Sequence, residues 1–374
     1  MTIVVDHTER KSEAAPVPEP RREVLAVQPG IHGSLNLGEM RRLGVNPKDV
    51  LDFSANVNPY GPAPAIRACL ANVPVDLYPD RECLELSNAL AESLEVDPKC
   101  ILPGNGASEL IWLTALAFVR SCARVLVLGP TFCEYARASG IQGACVTNWR
   151  SREEVEFVPA PEEIDEQLVL LRPHVVFLCN PNNPTGIVLP TPLIANWSRQ
   201  YPATLFVVDE AYQPFANGLS CKSRIIRENV LILRSMTKDY GLAGLRLGYA
   251  LGSERMISLL RQVQPPWSVN SLAQAAGVVA LRESGYRQNS LKRTAQAKHE
   301  LVAGIARLGL AQVPSATHFF LVRVGDGAAF RSALLRHGIL VRDCASFGLP
   351  AHVRIATRRP EENERLLAAI RKEI

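Results

Sequence analysis

The chain has 374 residues, more than the roughly 100–200 residues of a typical domain, which predicts two packed units. Its 47% hydrophobic and 21% charged residues are close to the globular average and exclude a disordered or fibrous protein. A net charge of +4 does not by itself indicate a nucleic-acid-binding surface. The nine cysteines are odd in number and contain no C-x-x-C pair, so we expect no disulfide framework, no metal site and a reducing, cytoplasmic location.

The first thirty residues contain four prolines and several charged residues but no apolar stretch, so they are not a signal peptide. We expect residues 1–30 to form a mobile tail. The longest apolar run, residues 110–119, is about half as long as a bilayer-spanning helix and contains Thr114. The sequence therefore predicts no association with a membrane.

The middle of the chain alternates short apolar runs with turns and helical patterns. The apolar runs are residues 124–128, 175–179, 205–208 and 230–233. Such continuous apolar strands are typical of a parallel sheet that is covered by helices on both faces. We therefore predict a doubly wound α/β fold, which binds ligands beyond the carboxyl ends of its strands.

This pattern changes after the cluster Pro265-Pro266-Trp267. Beyond it we expect a helical stretch over residues 268–311. Three shorter strands and an amphipathic helix complete the predicted C-terminal part, at residues 319–324, 340–342, 352–356 and 361–374. This order of elements predicts a second, smaller α+β domain.

The clearest chemical signal is a lysine among glycines and small hydroxyl residues in the segment 234–249. Lys238 follows an apolar strand, and its amine could bind an aldehyde cofactor covalently. Ser235 and Arg246 in the same segment would supply a hydroxyl group and a guanidinium for a phosphate. Taken alone, this lysine is equally typical of an exposed turn.

Polar residues also follow other predicted strands. Asp209 ends one of them and could hold a protonated pyridine nitrogen, and Asn183 in the turn 180–186 could reach a phenolic oxygen. The N–H groups of Gly106, Ala107 and Ser108 precede an apolar helical run and would bind a phosphate at a helix N-terminus. Each feature alone is typical of a turn or a cap, but the combination predicts a site for pyridoxal phosphate.

In this order and spacing the motifs resemble those of the fold-type I pyridoxal-phosphate enzymes, in the class I/II aminotransferase branch, over residues 31–374. The resemblance implies an aspartate aminotransferase-like α/β fold, in which the doubly wound sheet is mixed but mostly parallel. Its parts would be an arm at residues 31–60 that packs on the small domain and the active site, a large cofactor-binding domain at 61–267 and a small domain at 268–374.

The same resemblance assigns roles to single residues. It implies that Lys238 carries the cofactor, that Asp209 pairs with the pyridine nitrogen, and that Asn183 and Tyr212 contact the ring oxygen. Phe132 would stack on the ring, and the phosphate would be held by Gly106, Ala107, Ser108, Ser235 and Arg246. Tyr78 resembles a tyrosine that reaches the cofactor phosphate of the partner subunit, which implies a homodimer with shared active sites.

Two subfamilies share nearly all of these motifs, the histidinol-phosphate aminotransferases and the threonine-phosphate decarboxylases. The segments 52–59, 266–270 and 341–344 resemble those of the decarboxylases. By this resemblance the phosphate and the carboxylate of the substrate are contacted by His32, Gly33, Asn56, Arg342 and Arg354. The sequence departs from the decarboxylase pattern at Ser34, at Tyr212, at residues 241–244 and at His318.

The sequence thus leaves three hypotheses. The first is decarboxylation of O-phospho-L-threonine, or of O-phospho-L-serine because only one methyl group separates them, to an amino-alcohol phosphate such as (R)-1-amino-2-propanol phosphate for cobalamin biosynthesis. The alternative is a histidinol-phosphate aminotransferase or a related aminotransferase. The third is a cofactor-bound regulator, although thirty residues are too few for an added DNA-binding domain. We expect a small phosphorylated substrate and no nucleic-acid partner.

Overall fold

A computed structural model of the protein describes residues 18–216, 220 and 228–374. In these residues the helices are α1 (Arg22–Ala26), α2 (Leu37–Leu43), α3 (Pro64–Leu70), α4 (Leu84–Leu94), α5 (Gly106–Phe118), α6 (Glu134–Ile141), α7 (Pro161–Leu171), α8 (Thr191–Gln200), α9 (Glu254–Val263), α10 (Ser271–Arg282), α11 (Ser284–Arg307), α12 (Gly327–Leu335) and α13 (Pro360–Glu373). The strands are β1 (Leu51–Asp52), β2 (Ile101–Gly104), β3 (Arg124–Gly129), β4 (Cys145–Arg150), β5 (Val175–Cys179), β6 (Leu205–Asp209), β7 (Val230–Ser235), β8 (Gly248–Leu251), β9 (Phe319–Arg323), β10 (Ile339–Leu340), β11 (Arg342–Asp343) and β12 (His352–Ala356). Within these described ranges, none of the helices has both the length and the apolar character that crossing a membrane requires.

The central sheet of the described residues has seven strands in the order β2-β8-β7-β6-β5-β3-β4. Strands β7, β6, β5, β3 and β4 run parallel, whereas β8 is antiparallel to both of its neighbours, β2 and β7. The structure therefore confirms the predicted mixed, mostly parallel sheet. The inner parallel strands β3, β5, β6 and β7 are apolar runs because both faces of the sheet are covered there, whereas the edge strand β4 is largely polar.

The two faces of the sheet contact two separate hydrophobic clusters. In β5, Val176 and Leu178 pack into the cluster formed with α4, α8 and α10. The alternate residues Val175 and Phe177 pack into the cluster formed with α5, α6 and α9. Because side chains alternate along a strand, each strand binds helices on both sides, as a doubly wound fold requires.

Some elements differ from the prediction. The sequence analysis missed the short strands β2 and β8, which flank glycine-rich segments, and the strand β4 at the edge of the sheet. The predicted helical stretch 268–311 is divided into α10 and α11. The division lies at Glu283, whose ψ of 37° is outside the helical range.

The C-terminal part contains an antiparallel sheet in the order β11-β12-β9, covered by α11 and α13. The N-terminal segment joins this part, because β1 pairs in parallel with β10. Arg331 on α12 also binds Glu39 on α2 through both of its terminal nitrogens, at 2.7 and 2.6 Å. Residue 267 lies along the chain between the seven-stranded sheet and the β11-β12-β9 sheet. The arm at residues 31–60 and the boundary at residue 267 stay predictions.

The predicted mobile tail lies partly outside the described residues, which begin at residue 18. The part that is described contains the five-residue helix α1, and Arg21 Nη2 donates a hydrogen bond to the carbonyl of Ile141 at 2.6 Å. This end of the predicted tail is therefore structured, and it contacts the last residue of α6.

Candidate active site

A cavity lies beyond the carboxyl ends of β5, β6 and β7. These strands end at Cys179, Asp209 and Ser235, and all three residues line it. The other lining residues are Ala107, Ser108, Ile111, Phe132, Tyr135, Asn183, Ala211, Tyr212, Thr237, Lys238 and Arg246. The structure thus brings together all the predicted cofactor residues except Gly106, which is buried next to the cavity, and Tyr78.

Lys238 reaches this cavity from the turn that follows β7. Its carbonyl accepts hydrogen bonds from the backbone N–H of Asn58 at 2.9 Å and of Gly241 at 3.2 Å. Its Nζ lies 5.7 Å from the centre of the Tyr212 ring. The backbone of the lysine is therefore fixed by two segments, while its amine remains within the cavity.

Asp209 lines the same cavity and is almost fully buried, with 5% exposure. Its carboxylate accepts hydrogen bonds from Tyr135 Oη at 2.7 Å and from the backbone N–H of Ala211 at 2.9 Å. Burial raises the pKa of the Asp209 carboxyl, although the Tyr135 hydroxyl, the Ala211 N–H and the charge of Lys238 oppose this. A buried carboxylate of this kind is suited to a cationic partner such as a protonated pyridine nitrogen.

The phosphate end of the predicted site is formed where α5 begins. Gly106 has a φ of +77°, and a Cβ atom at this position would lie only 2.8 Å from Arg246 Nη2. The first N–H groups of a helix have no partner within the helix, so those of Ala107 and Ser108 are available to an anion. Ser235 Oγ lies 2.6 Å from Thr237 Oγ1 and adds hydroxyl groups to the same end. These groups fit a phosphate.

Gly248 on β8 allows these phosphate-binding groups to come together, because its backbone contacts the backbone at the start of α5. A Cβ atom at Gly248 would lie 2.7 Å from the nitrogen of Ala107 and 2.7 Å from the carbonyl oxygen of Arg234. We expect Gly248→Ala to displace the start of α5, to lower the free energy of unfolding by about 1–3 kcal/mol and to weaken cofactor binding. Thermal unfolding and cofactor titration measure both effects.

Gly285→Ala is the matched control for this prediction. Gly285 lies on α11, and no atom would contact an added Cβ within 4 Å. We therefore expect this variant to unfold at the wild-type temperature or slightly above it, because alanine favours a helix. If Gly248→Ala and Gly285→Ala had the same unfolding temperature and the same affinity for the cofactor, the proposed packing at Gly248 would be wrong.

A second cavity lies beside the arm, and several predicted substrate residues line it. These predicted residues are His32, Gly33 and Arg342. Ser54, for which no role was predicted, also lines the cavity. Arg342 Nη2 donates to the carbonyl of Ile31 at 2.8 Å and to Ser346 Oγ at 2.6 Å. Burial lowers the pKa of the Arg342 guanidinium, although the ordinary value is high enough for it to remain charged.

Arg354 lies between the two cavities and connects them. It is 4% exposed; its Nη1 donates to Asn183 Oδ1 in the first cavity, and its Nη2 donates to the carbonyl of Ser54 at 2.5 Å. Asn56 is also buried here, and its Nδ2 donates to Tyr212 Oη at 3.4 Å. His32, Gly33 and Arg342 therefore line the second cavity, whereas Asn56 and Arg354 contact residues of the first.

Tyr78 is not part of the cavity of its own chain. It is 80% exposed and stacks on Trp267 at a ring distance of 4.6 Å. This position is compatible with the predicted contact to a partner subunit, which stays a prediction.

His318, a departure from the family pattern, is buried in the wall behind Tyr212. Its ring stacks on Phe215 at 3.7 Å and lies 6.2 Å from the ring of Tyr212. Among the described residues, neither ring nitrogen has a hydrogen-bond partner. Burial, together with the charges of Lys238 and Arg354, holds the pKa of His318 well below its usual value, so the imidazole is neutral at pH 7.

The sequence analysis did not assign roles to Tyr135 and Thr237, which contact the predicted cofactor residues. Tyr135 lies in the segment after β3 that also contains Phe132, and Thr237 directly precedes the lysine. Their positions beside predicted site residues were the available signal, but residue type alone does not show which side chains face the cavity.

Comparison with known proteins identifies the family. The family model described as "Aminotransferase class I and II" matches residues 48–370. A histidinol-phosphate aminotransferase of Symbiobacterium thermophilum is 36% identical over 94% of this chain and 97% of its own length.

Two solved structures are also similar. The histidinol-phosphate aminotransferase of Sinorhizobium meliloti in complex with pyridoxal-5'-phosphate has a TM-score of 0.85 at 25% identity, over 96% of this chain and 98% of that one. The L-threonine-O-3-phosphate decarboxylase of Porphyromonas gingivalis has a TM-score of 0.75 at 28% identity, over 86% of this chain and 98% of that one. Together with the cavity around Lys238 and Asp209, these likenesses show that the chain has the aspartate aminotransferase-like fold and belongs to the class I and II aminotransferase family of pyridoxal-phosphate enzymes.

Proposed function

We propose that the protein transfers the amino group of histidinol phosphate, or of a closely related phosphorylated amine, to a 2-oxo acid. The observation that carries this proposal is the 36% identity to a histidinol-phosphate aminotransferase over nearly the whole of both chains. Two other proteins at 35% and 33% identity have the same name. This reverses the order of the first two hypotheses from the sequence analysis.

The residues around the first cavity account for the chemistry. Bound pyridoxal phosphate supplies an electron-withdrawing ring next to the substrate carbon that carries the amine. Asp209 would hold a proton at the pyridine nitrogen, and Lys238 Nζ would take the proton from that substrate carbon as a general base. Phe132 would cover one face of the ring and exclude water from it.

The two buried arginines, Arg342 and Arg354, would bind the anionic groups of the two substrates. A transamination binds two anionic molecules in turn, since the amine has a phosphate and the 2-oxo acid has carboxylates. Arg354 and Arg342 offer guanidinium groups, which bind such oxygens with paired hydrogen bonds. Arg354 lies beside Asn183 and therefore next to the reacting carbon, whereas Arg342 lies farther out beside His32. We assign the phosphate to the second cavity on this ground.

Decarboxylation of O-phospho-L-threonine is the second candidate. The observation that favours it is the 28% identity to a decarboxylase of that substrate. The two reactions differ in which bond of the substrate carbon is held perpendicular to the cofactor ring. In a decarboxylase, Arg354 and its neighbours would hold the carboxylate in that position, so that CO2 leaves and Lys238 returns a proton to the carbon.

An assay of purified protein with three amines tests the proposal. The amines are histidinol phosphate, O-phospho-L-threonine and O-phospho-L-serine, each with and without 2-oxoglutarate. We expect turnover of histidinol phosphate that requires the 2-oxo acid and yields glutamate. Release of CO2 from a phosphoamino acid without any 2-oxo acid would instead support the decarboxylase.

We also propose that the active sites are shared between two subunits through Tyr78. A mixture of Lys238→Ala and Tyr78→Ala chains, unfolded and refolded together, would then form hybrid dimers with one intact site. We expect about a quarter of the wild-type activity, because half of the dimers are hybrids with one working site of two. Each variant alone would be impaired, and a mixture no more active than the mean of its components would contradict shared sites.

A further inference from the structure

The histidine of the arm, His32, contacts a buried carboxylate that the mechanism above does not use. His32 Nε2 lies 3.2 Å from Oε1 of Glu134, the first residue of α6. The two side chains differ greatly in exposure, at 47% for His32 and 5% for Glu134. The carboxylate of Glu134 is therefore an interior group. It holds the more exposed ring of His32, which lines the second cavity.

Glu134 is itself fixed in place. Trp112 Nε1 donates to its Oε2 at 2.9 Å, and Arg137 Nη1 lies 3.3 Å from both of its oxygens. Hydrogen bonding from His32, together with that from Trp112 and the charge of Arg137, lowers the pKa of Glu134 to about 2 although burial opposes this. The carboxylate is thus ionised at neutral pH and held by groups on two helices.

The backbone just before the arm, at Gly30, is shaped to permit this contact. A Cβ atom at Gly30 would lie 2.6 Å from Glu134 Oε1 and 2.9 Å from His32 Nε2. Any larger residue at this position would crowd the pair. Gly30 therefore gives a second way to disturb the contact without changing either of its members.

The contact fixes what His32 presents to the second cavity. The anionic carboxylate accepts the hydrogen of Nε2, so Nδ1 remains for another partner, to which it donates when both ring nitrogens carry hydrogen. The ring centre lies 5.4 Å from that of Phe132, which lines the first cavity, and His32 lines the second cavity with Arg342. His32 thus lies where the two cavities meet.

We propose that Glu134 is a positioning residue for substrate binding: it accepts the Nε2 hydrogen of His32 so that Nδ1–H of the ring with both hydrogens donates to the phosphate of the substrate beside Arg342. The Glu134 proposal rests on the proposed function in one respect, that the substrate carries a phosphate. The substrates of both candidate reactions do. Glu134 lines neither of the two cavities, so its effect would pass through the orientation of His32 and of the arm.

A double-mutant cycle with His32→Ala and Glu134→Gln tests the proposal, with the KM and kcat of the amine measured for each variant. We expect Glu134→Gln to raise the KM about tenfold, as the loss of a charge-assisted contact does, with kcat within about twofold. In the His32→Ala background we expect Glu134→Gln to change the KM by less than about twofold. An equal effect in both backgrounds would overturn the proposal, because Glu134 would then act only on the packing of α5 and α6.

Gly30→Ala serves as the independent variant, and we expect it to raise the KM in the same direction. Glu163→Gln is the matched control, since Glu163 pairs with Arg152 on the exposed surface away from both cavities. We expect wild-type KM and kcat for this control.

Amide hydrogen exchange of residues 30–34 in the cofactor-loaded protein gives a readout that does not depend on turnover. We expect faster exchange in Glu134→Gln and Gly30→Ala than in the wild type and in Glu163→Gln. Unchanged exchange in both variants would overturn the proposal, whichever amine the enzyme uses. If O-phospho-L-threonine is the substrate, the cycle is run on its KM with the same expectations, so a failure of the proposed reaction and a failure of the Glu134 proposal give different results.

Discussion

Lys238→Ala is expected to lower kcat by at least about 10³-fold, because it removes both the covalent attachment of the cofactor and the general base. The cofactor phosphate would still be bound by the start of α5, so the variant should retain pyridoxal phosphate that is not covalently attached. Borohydride reduction followed by mass spectrometry of the 238-containing peptide distinguishes the two proteins. The wild-type peptide should gain the mass of the reduced cofactor, and the variant peptide should not.

Lys292→Ala is the control for this prediction. Lys292 is an exposed residue of α11, and we expect its replacement to leave kcat and the labelled peptide unchanged. If Lys238→Ala retained more than a tenth of the wild-type activity, or if another lysine carried the label, the assignment of Lys238 would be wrong.

Asp209→Asn is expected to lower kcat by about 10²–10³-fold, since an amide cannot hold a proton on the pyridine nitrogen as a carboxylate does. The same change should not reduce the stability of the cofactor-free protein. Burial raises the pKa of Asp209 in the folded state, so ionisation at neutral pH opposes folding and a neutral amide avoids that cost. We therefore expect the cofactor-free variant to unfold at the wild-type temperature or above it.

Tyr135→Phe separates the charge of Asp209 from its hydrogen bonding. It removes only the hydroxyl that donates to Asp209 at 2.7 Å. We expect it to lower kcat by about tenfold or less, in line with the loss of one hydrogen bond. Equal losses in Tyr135→Phe and Asp209→Asn would contradict the proposed electrostatic role of the carboxylate.

The strands that carry the site could be predicted from the sequence. The apolar run 175–179 coincides with β5, and Asp209 and Ser235 end β6 and β7 as expected. This succeeded because a strand buried on both faces has a distinct pattern, and because ligands of such sheets lie beyond the carboxyl ends of the strands. Short strands beside glycine-rich turns, such as β8, lack that pattern.

The contacts that fix the site could not be predicted in the same way. Tyr135 and Asp209 are 74 residues apart, and Arg354 and Asn183 are 171 residues apart. The periodicity of hydrophobic residues indicates only which face of a helix or strand a residue occupies. Contacts between distant residues depend on how separate elements pack together. The division of the substrate residues between two cavities, with Arg354 connecting them, and the role of Glu134 therefore required the structure.

The motifs also predicted the cofactor family better than the reaction. The lysine, the aspartate and the phosphate residues are common to both subfamilies, so they indicate pyridoxal phosphate in either case. Decarboxylation and transamination differ in the orientation of one substrate carbon, which no single residue type encodes. The sequence analysis placed the decarboxylase first, and the likeness to histidinol-phosphate aminotransferases favours its alternative.

The most direct test of the account is a stoichiometric reaction of the cofactor-loaded enzyme with histidinol phosphate in the absence of any 2-oxo acid. The account predicts that each active site converts one molecule of the amine to its ketone and then stops. Addition of 2-oxoglutarate should restart turnover and yield glutamate. An enzyme that leaves histidinol phosphate unchanged but releases CO2 from O-phospho-L-threonine over many turnovers without an acceptor would contradict it.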